Sequence, residues 1–528
     1  MKTSFAEEEP ARFTWQRCFW LCLPALIIGA ILRISFLVAV PEVYYGNDSN
    51  SYFTSAHSVI LDHRFDYPPK RRFVYPLLLI AAPFVPFCNT AQAVALAQHI
   101  AGLFMIYGIG WVTGHLMRRP GLWVPPVTIL ASMWPRMLYF EHEMIGECLM
   151  LGVFIATVAV AVAPEGLKTD KRLIWFCYFA LLIMAIKPAG RPLWFALMIV
   201  AALYTRRPFS WPKICYATIP LAGIMTFTSG GDGQGPWLFL SSTLPLVRTE
   251  GEPYSKERAL LKQAIEQARA DLPNYAFRQG IYKKWLSNGH PDGPLGPDYA
   301  AFASNRQHFS EVANRLGKEA VLADPFRYLK MVGMKVVSAS ADRHNDQRLI
   351  PSFFWSEQKL SSEGRWQKKG DTKRESLGAE MRLIYRMDEP AYNAMVDERS
   401  QRTVWYGPLV KPWLKVNWLQ AGPGPEGQPP IIRLQLMGWL ALFGLAAALW
   451  PGKRFIKTSI IWFPTVLYMV VVFAVGDAVT RYLEPIDWTI FVIMAYGLDT
   501  LVEGIIWLWK RIRPAALTPE DELEEAKA

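Results

Sequence analysis

Residues 21–40 read LCLPALIIGAILRISFLVAV, an apolar run interrupted by Arg33 and Ser35 and long enough to cross a bilayer. The chain continues through Tyr45–Gly46–Asn47–Asp48–Ser49, so a carboxylate stands at the very start of the first loop. Ionisable groups beside lipid are costly to keep and commonly serve transport or chemistry. The segment therefore predicts a membrane protein with a functional acid, Asp48, at a membrane surface.

The composition favours a polytopic membrane protein with a soluble insert. Of the 528 residues, 52% are hydrophobic, and the apolar residues are gathered in long runs. The net charge of +11 is explained by Lys and Arg flanking the spans on one side, so no nucleic-acid partner is expected. None of the six cysteines falls between residues 230 and 430, so no disulfide framework can be read there, and metal-ligand spacing is absent from the sequence.

Five basic clusters orient the predicted spans. They are Arg118–Arg119, Lys168–Arg172, Arg206–Arg207, Lys453–Arg454 and Lys510–Arg513. If all five face the cytoplasm, the chain has about ten transmembrane helices with both termini inside. The predicted spans lie near residues 15–40, 91–115, 121–139, 147–163, 172–187, 189–205, 212–229, 431–450, 455–476 and 486–508. The apolar run 73–87, which contains three prolines, is predicted to lie as a helix in the outer interface.

The predicted fold class is an all-α polytopic membrane protein with interfacial helices and a mainly helical extracytoplasmic insert. Its predicted parts are a cytoplasmic tail 1–14, a transmembrane module 15–229 with a first extracytoplasmic loop 41–90, an extracytoplasmic domain 230–430, C-terminal transmembrane helices 431–508 and a cytoplasmic tail 509–528. Helical periodicity in Arg258–Ala270 and Phe309–Val321 supports the helical insert. Asp324 before Pro325 predicts the start of a further amphipathic helix.

The first loop carries the first candidate site. Asp48 and Tyr52 are one helical turn apart and share a face, His57 follows nearby, and the loop later contains Lys70–Arg72. A carboxylate beside cations suits an anionic lipid donor, because the cations hold a phosphate while the acid accepts a proton from a nucleophile. The alternatives are that Asp48 only caps a helix and that His57, a candidate acceptor-binding residue, is structural.

A second group of acids lies at residues 141–147. Glu143 and Glu147 are four residues apart, so their like charges repel in a helix and should be answered by a cation, a divalent metal or a shared proton. With Asp48 they could hold Mg²⁺ or Mn²⁺ through oxygen ligands, although no cofactor is required by the sequence. Glu141 is either a solvated loop acid or a residue that binds the acceptor.

Two predicted outer turns carry cations. Lys187 and Arg191 break the positive-inside pattern, and such charges usually have a partner. Arg481, in the turn Gly476–Pro485, could bind a phosphate through its fork of donors or form an ion pair with Asp477. Motifs of nucleotide-binding loops, serine-hydrolase elbows and zinc proteases are absent. The energy for a reaction outside the membrane must therefore arrive in the substrate.

The order of these motifs resembles the GT-C superfamily of membrane glycosyltransferases, in particular bacterial relatives of protein O-mannosyltransferases and of the lipid A aminoarabinose transferase. The matching segments are Gly46–Ser49 with Tyr52, Arg72–Leu79, Pro135 with Glu147, Pro325–Leu329 and Arg481–Pro485. The chain departs from the protein-mannosyltransferase pattern at Asp48–Ser49, where an Asp-Glu pair is usual. That difference argues against a protein acceptor.

The resemblance implies a bacterial inner-membrane enzyme that takes a sugar from undecaprenyl or decaprenyl phosphate. It implies an inverting transfer to a cell-envelope glycan or glycolipid, with the site facing the periplasm or exterior. Asp48 would be the base, and Glu147 or Glu143 the second acid. The donor would be bound by residues that hold its phosphate and lipid: Arg481, Lys187, Arg191, Arg72, Tyr52 and Tyr482.

Two other function classes stay open at this stage. A transporter or flippase of a lipid-linked intermediate would place ionisable groups near the bilayer midplane and often shows repeat symmetry. An O-antigen-type ligase or polymerase would use a diphosphate-linked donor and a basic pair in a large outer loop, and residues 230–430 contain many arginines. The acids of this chain gather at one predicted face, which favours the transferase.

Overall fold

The fold is described from a computed structural model of the chain. It covers residues 13–45, 47–64, 73–164, 166–205, 234–287, 294–341, 382–402, 419–425, 427–450, 455–476 and 482–512. The predicted span 212–229 lies outside these residues. Within them the protein is helical apart from one antiparallel pair of strands.

The first half of the chain forms nine helices in the described residues. They are α1 (Trp15–Ala39), α2 (Asn47–Ile60), α3 (Val74–Ala81), α4 (Thr90–Leu116), α5 (Pro120–Ser132), α6 (Pro135–Phe140), α7 (Glu147–Val162), α8 (Asp170–Ile186) and α9 (Arg191–Thr205). Local chemistry sets their starts. Thr14 caps α1 by accepting from Arg17 N, and Asn89 with Gln92 forms a reciprocal capping box at α4.

The insert and the C-terminal part supply the remaining elements. They are α10 (Gln234–Thr243), α11 (Ser255–Ala270), α12 (Tyr275–Ser287), α13 (Gly296–Ser304), α14 (Arg306–Ala323), α15 (Pro325–Ala341), α16 (Glu389–Ser400), β1 (Leu419–Gly422), β2 (Ile431–Leu434), α17 (Leu436–Leu449), α18 (Phe455–Val475) and α19 (Glu484–Ile512). The helices predicted from periodicity are confirmed as α11 and α14. The predicted start of α15 is confirmed as well, since Asp324 Oδ1 accepts a hydrogen bond from Arg327 N at 2.9 Å.

Among the described residues, fewer helices than the predicted ten are long and apolar enough to cross a membrane. Among the described residues four helices are long and apolar enough to cross a membrane, namely Trp15–Ala39, Thr90–Leu116, Lys457–Val475 and Glu484–Trp509. Four more apolar helices are shorter, including Glu147–Val162 and Leu436–Leu449. The predicted count of about ten is therefore not established. The predicted span 121–139 is instead two helices, α5 and α6, because Pro135 begins a new helix after Trp134 adopts an extended conformation.

The longest helix, α19, connects two clusters of charges. At its start, Asp487 Oδ2 accepts from Trp134 Nε1 at 2.8 Å and pairs with Arg136. Twelve residues later, Asp499 Oδ2 accepts from Arg118 N at 2.8 Å, and Oδ1 pairs with Arg119 at 3.2 Å. At a rise of 1.5 Å per residue these contacts lie about 18 Å apart along the axis. The helix thus separates the basic pair Arg118–Arg119 from the acids at its own N-terminus.

The insert contacts the membrane part through the end of α18. The Lys335 ammonium of α15, fully buried, donates to the carbonyls of Phe473 and Gly476 at 3.2 Å each. Ser242 Oγ donates to the carbonyls of Val475 and Gly476. A cation and hydroxyl donors at a helix C-terminus satisfy carbonyls that the helix leaves without partners. The insert therefore fixes the chain just before the segment that carries Arg481.

A second part of the insert covers the first loop. We call residues 382–402 the strap. Thr90 Oγ1 donates to the strap carbonyl of Leu383 at 2.9 Å, and Arg399 lies 3.7 Å from Glu42. Tyr385 and Tyr392 are buried in the same hydrophobic cluster as α2. The strap therefore holds the loop from which α2 starts.

Candidate functional site

The helix that carries Asp48 packs against the start of α7. Asp48 lies in the first turn of α2, and its side chain is outside the described part of the structure. Tyr52, one turn later, is 1% exposed, and its ring centroid lies 5.1 Å from that of Tyr75. A Cβ atom placed on Gly146 would lie 3.5 Å from the Tyr52 hydroxyl oxygen. Tyr52 is therefore buried with its hydroxyl beside Gly146, the residue before Glu147.

Glu147 and Lys187 form a buried ion pair. Glu147 is the first residue of α7, and Lys187 follows the last residue of α8. The Lys187 ammonium donates to Glu147 Oε1, and the two side chains are 8% and 1% exposed for lysine and glutamate respectively. Glu147 Oε2 is buried and has no hydrogen-bond partner among the described residues. Of the partners predicted for Glu143 and Glu147 (a cation, a divalent metal or a shared proton), the structure shows a cation, Lys187, beside Glu147.

Tyr482 completes the surroundings of this pair. The Lys187 ammonium lies 5.5 Å from the centroid of the Tyr482 ring, within the range of a cation–π contact. Gly190 allows the turn after Lys187, since a Cβ there would lie 2.6 Å from the carbonyl oxygen of Ile183. The structure brings together Tyr52, Glu147, Lys187 and Tyr482, which come from four separate parts of the chain.

Glu141 has a different environment from the one predicted for a loop acid. It is 1% exposed and accepts from Arg33 Nε at 2.7 Å and from Arg33 Nη2 at 2.5 Å. His99 Nδ1 lies 2.9 Å from Glu141 Oε2, and His99 Nε2 lies 2.9 Å from His142 Nδ1. His142 in turn lies 2.9 Å from the carbonyl oxygen of Glu42. The interpretation of Glu141 as a solvated acid is wrong, because its carboxylate is buried and paired with Arg33.

Burial is the main cause of the pKa shifts of two residues in this network, His142 and Glu42. Burial, together with the neighbouring His99, lowers the pKa of His142 well below its usual range, so the imidazole is neutral. Burial raises the pKa of Glu42, and the nearby Arg399 and the amide of Gln92 oppose that effect only in part. The first loop is thus joined to α1 and α4 by the contacts of His142 and His99 and by the buried Arg33–Glu141 ion pair.

Glu143 is held through its backbone. Tyr44 N donates to the carbonyl of His142 at 2.8 Å, and Met144 N donates to the carbonyl of Tyr44 at 3.0 Å. Gln98 Nε2 donates to the carbonyl of Glu143 at 3.0 Å. The backbone of Glu143 thus forms an isolated β-bridge with Tyr44, three residues before α2 begins. The bridge fixes Glu143, which is 8% exposed, beside the segment that leads into α2.

Several predicted site residues stand apart from this cluster or cannot be placed. Arg191 begins α9 and is exposed. His57 is half-buried near the end of α2, and its Nε2 has no hydrogen-bond partner among the described residues. Arg72 and Arg481 lie outside the described residues, although Tyr482 follows Arg481 directly. In the part of the chain that is described, no group of three His, Cys, Asp or Glu side chains is arranged to hold a metal ion.

The sequence analysis missed Glu484. It is the first residue of α19, is 1% exposed, and both of its carboxylate oxygens are buried without a hydrogen-bond partner among the described residues. Glu147 and Lys187 are both close enough to affect its charge. The available signal was the pair Glu484 and Asp487 in the first turn of an otherwise apolar helix.

Comparisons with known proteins give weak similarities. No family model matches the sequence, and no curated protein sequence matches it. One similar solved structure is the archaeal oligosaccharyltransferase AglB from Archaeoglobus fulgidus in complex with an inhibitory peptide and a dolichol-phosphate. It has 10% sequence identity and a TM-score of 0.37 over 96% of this chain and 53% of AglB, so this chain spans about half the length of AglB.

A second similar structure is ArnT from Cupriavidus metallidurans bound to undecaprenyl phosphate. Its sequence identity is 11% and its TM-score 0.30, over 92% of this chain and 79% of ArnT. TM-scores as low as these do not establish a common fold, so neither likeness decides what this chain does.

Proposed function

We propose that this protein is an inverting glycosyltransferase that moves a sugar from a polyprenyl-phosphate donor to a cell-envelope glycan or glycolipid. The observation that carries the proposal is the convergence of α2, the buried Glu147–Lys187 pair and Tyr482. These elements bring the helix of a candidate base next to a cation suited to a phosphate. The sequence resemblance to GT-C enzymes assigns the same residues to one site.

In this proposal Asp48 acts as the general base. Its carboxylate accepts the proton of an acceptor hydroxyl while that oxygen attacks the anomeric carbon of the donor sugar. The bond between the anomeric carbon and the phosphate oxygen breaks on the opposite side, and the polyprenyl phosphate leaves with the bonding electrons. A single displacement of this kind inverts the anomeric configuration. Proton transfer by a positioned carboxylate contributes about 10²–10⁴-fold to such a step.

Lys187 stabilises the charge that grows on the departing phosphate, with Arg481 as the second proposed cation. Fixed cations at the place where charge develops are among the largest contributions to catalysis. Glu147 is a positioning residue here: its carboxylate holds the Lys187 ammonium at the start of α7. The aromatic ring of Tyr482 covers the same ammonium.

The proposed reaction takes place on the outer face of a bacterial inner membrane. Support comes from α19, whose inner half binds Arg118 and Arg119. Basic clusters of this kind are retained in the cytoplasm. The acids at the other end of α19 and the Glu147–Lys187 pair then face outward, where donor lipid and envelope acceptors meet.

Purified protein in lipid nanodiscs can test the proposal with donors of two classes. We expect sugar transfer to an envelope glycan or glycolipid from a polyprenyl-monophosphate sugar but not from a diphosphate-linked glycan. Asp48→Asn should lower the rate by about 10²–10⁴-fold without changing thermal unfolding, and Asp62→Asn, an exposed acid after α2, is the matched control. Transfer from the diphosphate donor alone would favour a ligase, and movement of the lipid without transfer would favour a flippase.

A further inference from the structure

The unpartnered carboxylate of Glu484 carries an inference beyond the reaction described above. Glu484 is 1% exposed, and neither of its carboxylate oxygens accepts a hydrogen bond from the described residues. Burying a carboxylate without partners is strongly unfavourable, so such a group in a folded protein calls for an explanation. Glu484 is at a helix N-terminus, where the helix dipole lowers the free-energy cost of burying a carboxylate. The dipole lowers this cost only partly, because neither carboxyl oxygen receives a hydrogen bond from the described residues.

The neighbours of Glu484 do not supply the missing partners. Each of the other three acids around it has its own cation: Glu147 has Lys187, Asp487 has Arg136, and Glu141 has Arg33. Among the described residues, four carboxyl groups and three cations leave one carboxyl, that of Glu484, without a cation of its own. Glu147 Oε2 is a further buried acceptor without a hydrogen-bond partner among these residues. The cluster therefore has three buried carboxyl oxygens that accept no hydrogen bond from the described residues.

We propose that Glu484 binds a sugar of the reaction by accepting hydrogen bonds from its hydroxyl groups. The inference rests on the proposed function, because it takes the Glu147–Lys187 pair as the place of the donor phosphate. A sugar attached to that phosphate carries hydroxyls on the ring carbons that follow the reacting anomeric carbon. Two neighbouring hydroxyls match the two oxygens of one carboxyl group.

The position of Glu484 in the chain suits this role. It lies two residues after Tyr482, whose ring covers Lys187, and three residues before Asp487, which Trp134 and Arg136 hold in place. The backbone that carries Glu484 is thus fixed on both sides. A site that hydrogen-bonds hydroxyls through a buried polar group rejects ligands without those hydroxyls, because the polar group is then left unpaired. Glu484 would therefore contribute to the choice of sugar.

The test compares two lipids that differ only in the sugar. Full-length protein in nanodiscs is titrated with undecaprenyl phosphate carrying one hexose, and separately with undecaprenyl phosphate alone. We expect Glu484→Gln to weaken binding of the sugar-bearing lipid by about 10–100-fold, as loss of a charged hydrogen-bond acceptor implies, and to leave binding of the bare lipid within about twofold. Glu484→Asp, which keeps the charge and shortens the side chain, should fall between the two proteins. Asp499→Asn is the control, a buried carboxylate near the middle of α19.

Each outcome decides the assignment. An equal change in affinity for both lipids in Glu484→Gln would overturn it, because Glu484 would then act through charge or folding and not through the sugar. An unchanged affinity for both lipids would overturn it as well. Failure of the wild-type protein to bind either lipid would overturn the proposed function together with this inference. If the wild-type protein prefers the sugar-bearing lipid and both Glu484 variants keep that preference, the role of Glu484 is overturned and the proposed function is not.

Discussion

Replacing Lys187 by methionine should destabilise the protein far more than the loss of an ordinary surface ion pair. The side chains of Lys187 and Glu147 are 8% and 1% exposed. Removing one partner of a buried pair leaves an uncompensated charge and costs about 3–5 kcal/mol, against about 0–1 kcal/mol for an exposed pair. Here the uncompensated Glu147 would also face Glu484, so the cost should lie toward the upper part of that range.

A double-mutant cycle separates this pairing from simple loss of packing. We expect Glu147→Gln with Lys187→Met to be more stable than Lys187→Met alone, because the combined variant buries no unpaired charge at this pair. The coupling should be about 1–3 kcal/mol, as for residues in direct contact. The assay is denaturant unfolding in detergent micelles, followed by tryptophan fluorescence.

The control for this cycle lies on the same helix. Lys171, in the first turn of α8, is exposed, and Lys171→Met should change the free energy of unfolding by no more than about 0.5 kcal/mol. A cost below about 1 kcal/mol for Lys187→Met, or additive effects in the cycle, would refute the reasoning, since both results require Lys187 to be solvated.

Three further predictions concern the supports of the site. Arg33→Met should cost about 3–5 kcal/mol, because it strands the buried Glu141 carboxylate, and Arg33→Met/Glu141→Gln should recover part of that loss in the same unfolding assay. Lys335→Met should cost about 1–3 kcal/mol, because it removes the buried ammonium that donates to the carbonyls of Phe473 and Gly476 at the end of α18. Glu42 has a raised pKa in the folded protein, so it binds its proton more tightly when folded. The stability it contributes is present below the unfolded glutamate pKa of about 4.3 and is lost as pH rises through the higher folded pKa. Glu42→Gln should therefore flatten this decline in unfolding measurements between pH 4 and pH 7, and a decline of equal size in the variant would contradict the assignment.

The features that could be predicted from the sequence are set by local interactions. The start of α7 at Glu147 and the capping of α15 by Asp324 follow from neighbouring residues, and both predictions are confirmed. The break at Pro135 was also visible, since the residue before a proline disfavours helix. It was overlooked because the apolar run continues through it. The strands β1 and β2 were missed because their four-residue segments give too short a pattern to distinguish from a loop.

The features that could not be predicted depend on contacts between distant parts of the chain. Arg33 and Glu141 are 108 residues apart, and Lys187 and Glu147 are 40 apart. Spacing in sequence gives no information on which acid a given cation meets. The sequence could indicate that charges beside lipid need partners, but the choice of partner is decided by how helices pack. Glu484 was missed for the same reason, since a glutamate at a helix start is usually solvated and stabilised by the helix dipole.

One helix, α19, relates the proposed orientation of the protein in the membrane to the membrane surface that the proposed site faces. Asp499, near the middle of α19, accepts from Arg118 N and pairs with the Arg119 side chain, and under the proposed topology these two cations lie on the cytoplasmic side. About 22 Å of helix separate Asp499 from Glu484. Under the same proposal the N-terminal acids of α19 lie toward the outer surface, as do the ends of α7 and α8 that supply Glu147 and Lys187. A transporter would place ionisable groups near the bilayer midplane. The buried carboxylate near the middle of α19, Asp499, is paired with Arg119. The carboxyl of α19 that has no hydrogen-bond partner among the described residues is that of Glu484, at the N-terminal end of the helix, which favours chemistry at one surface over passage through the membrane.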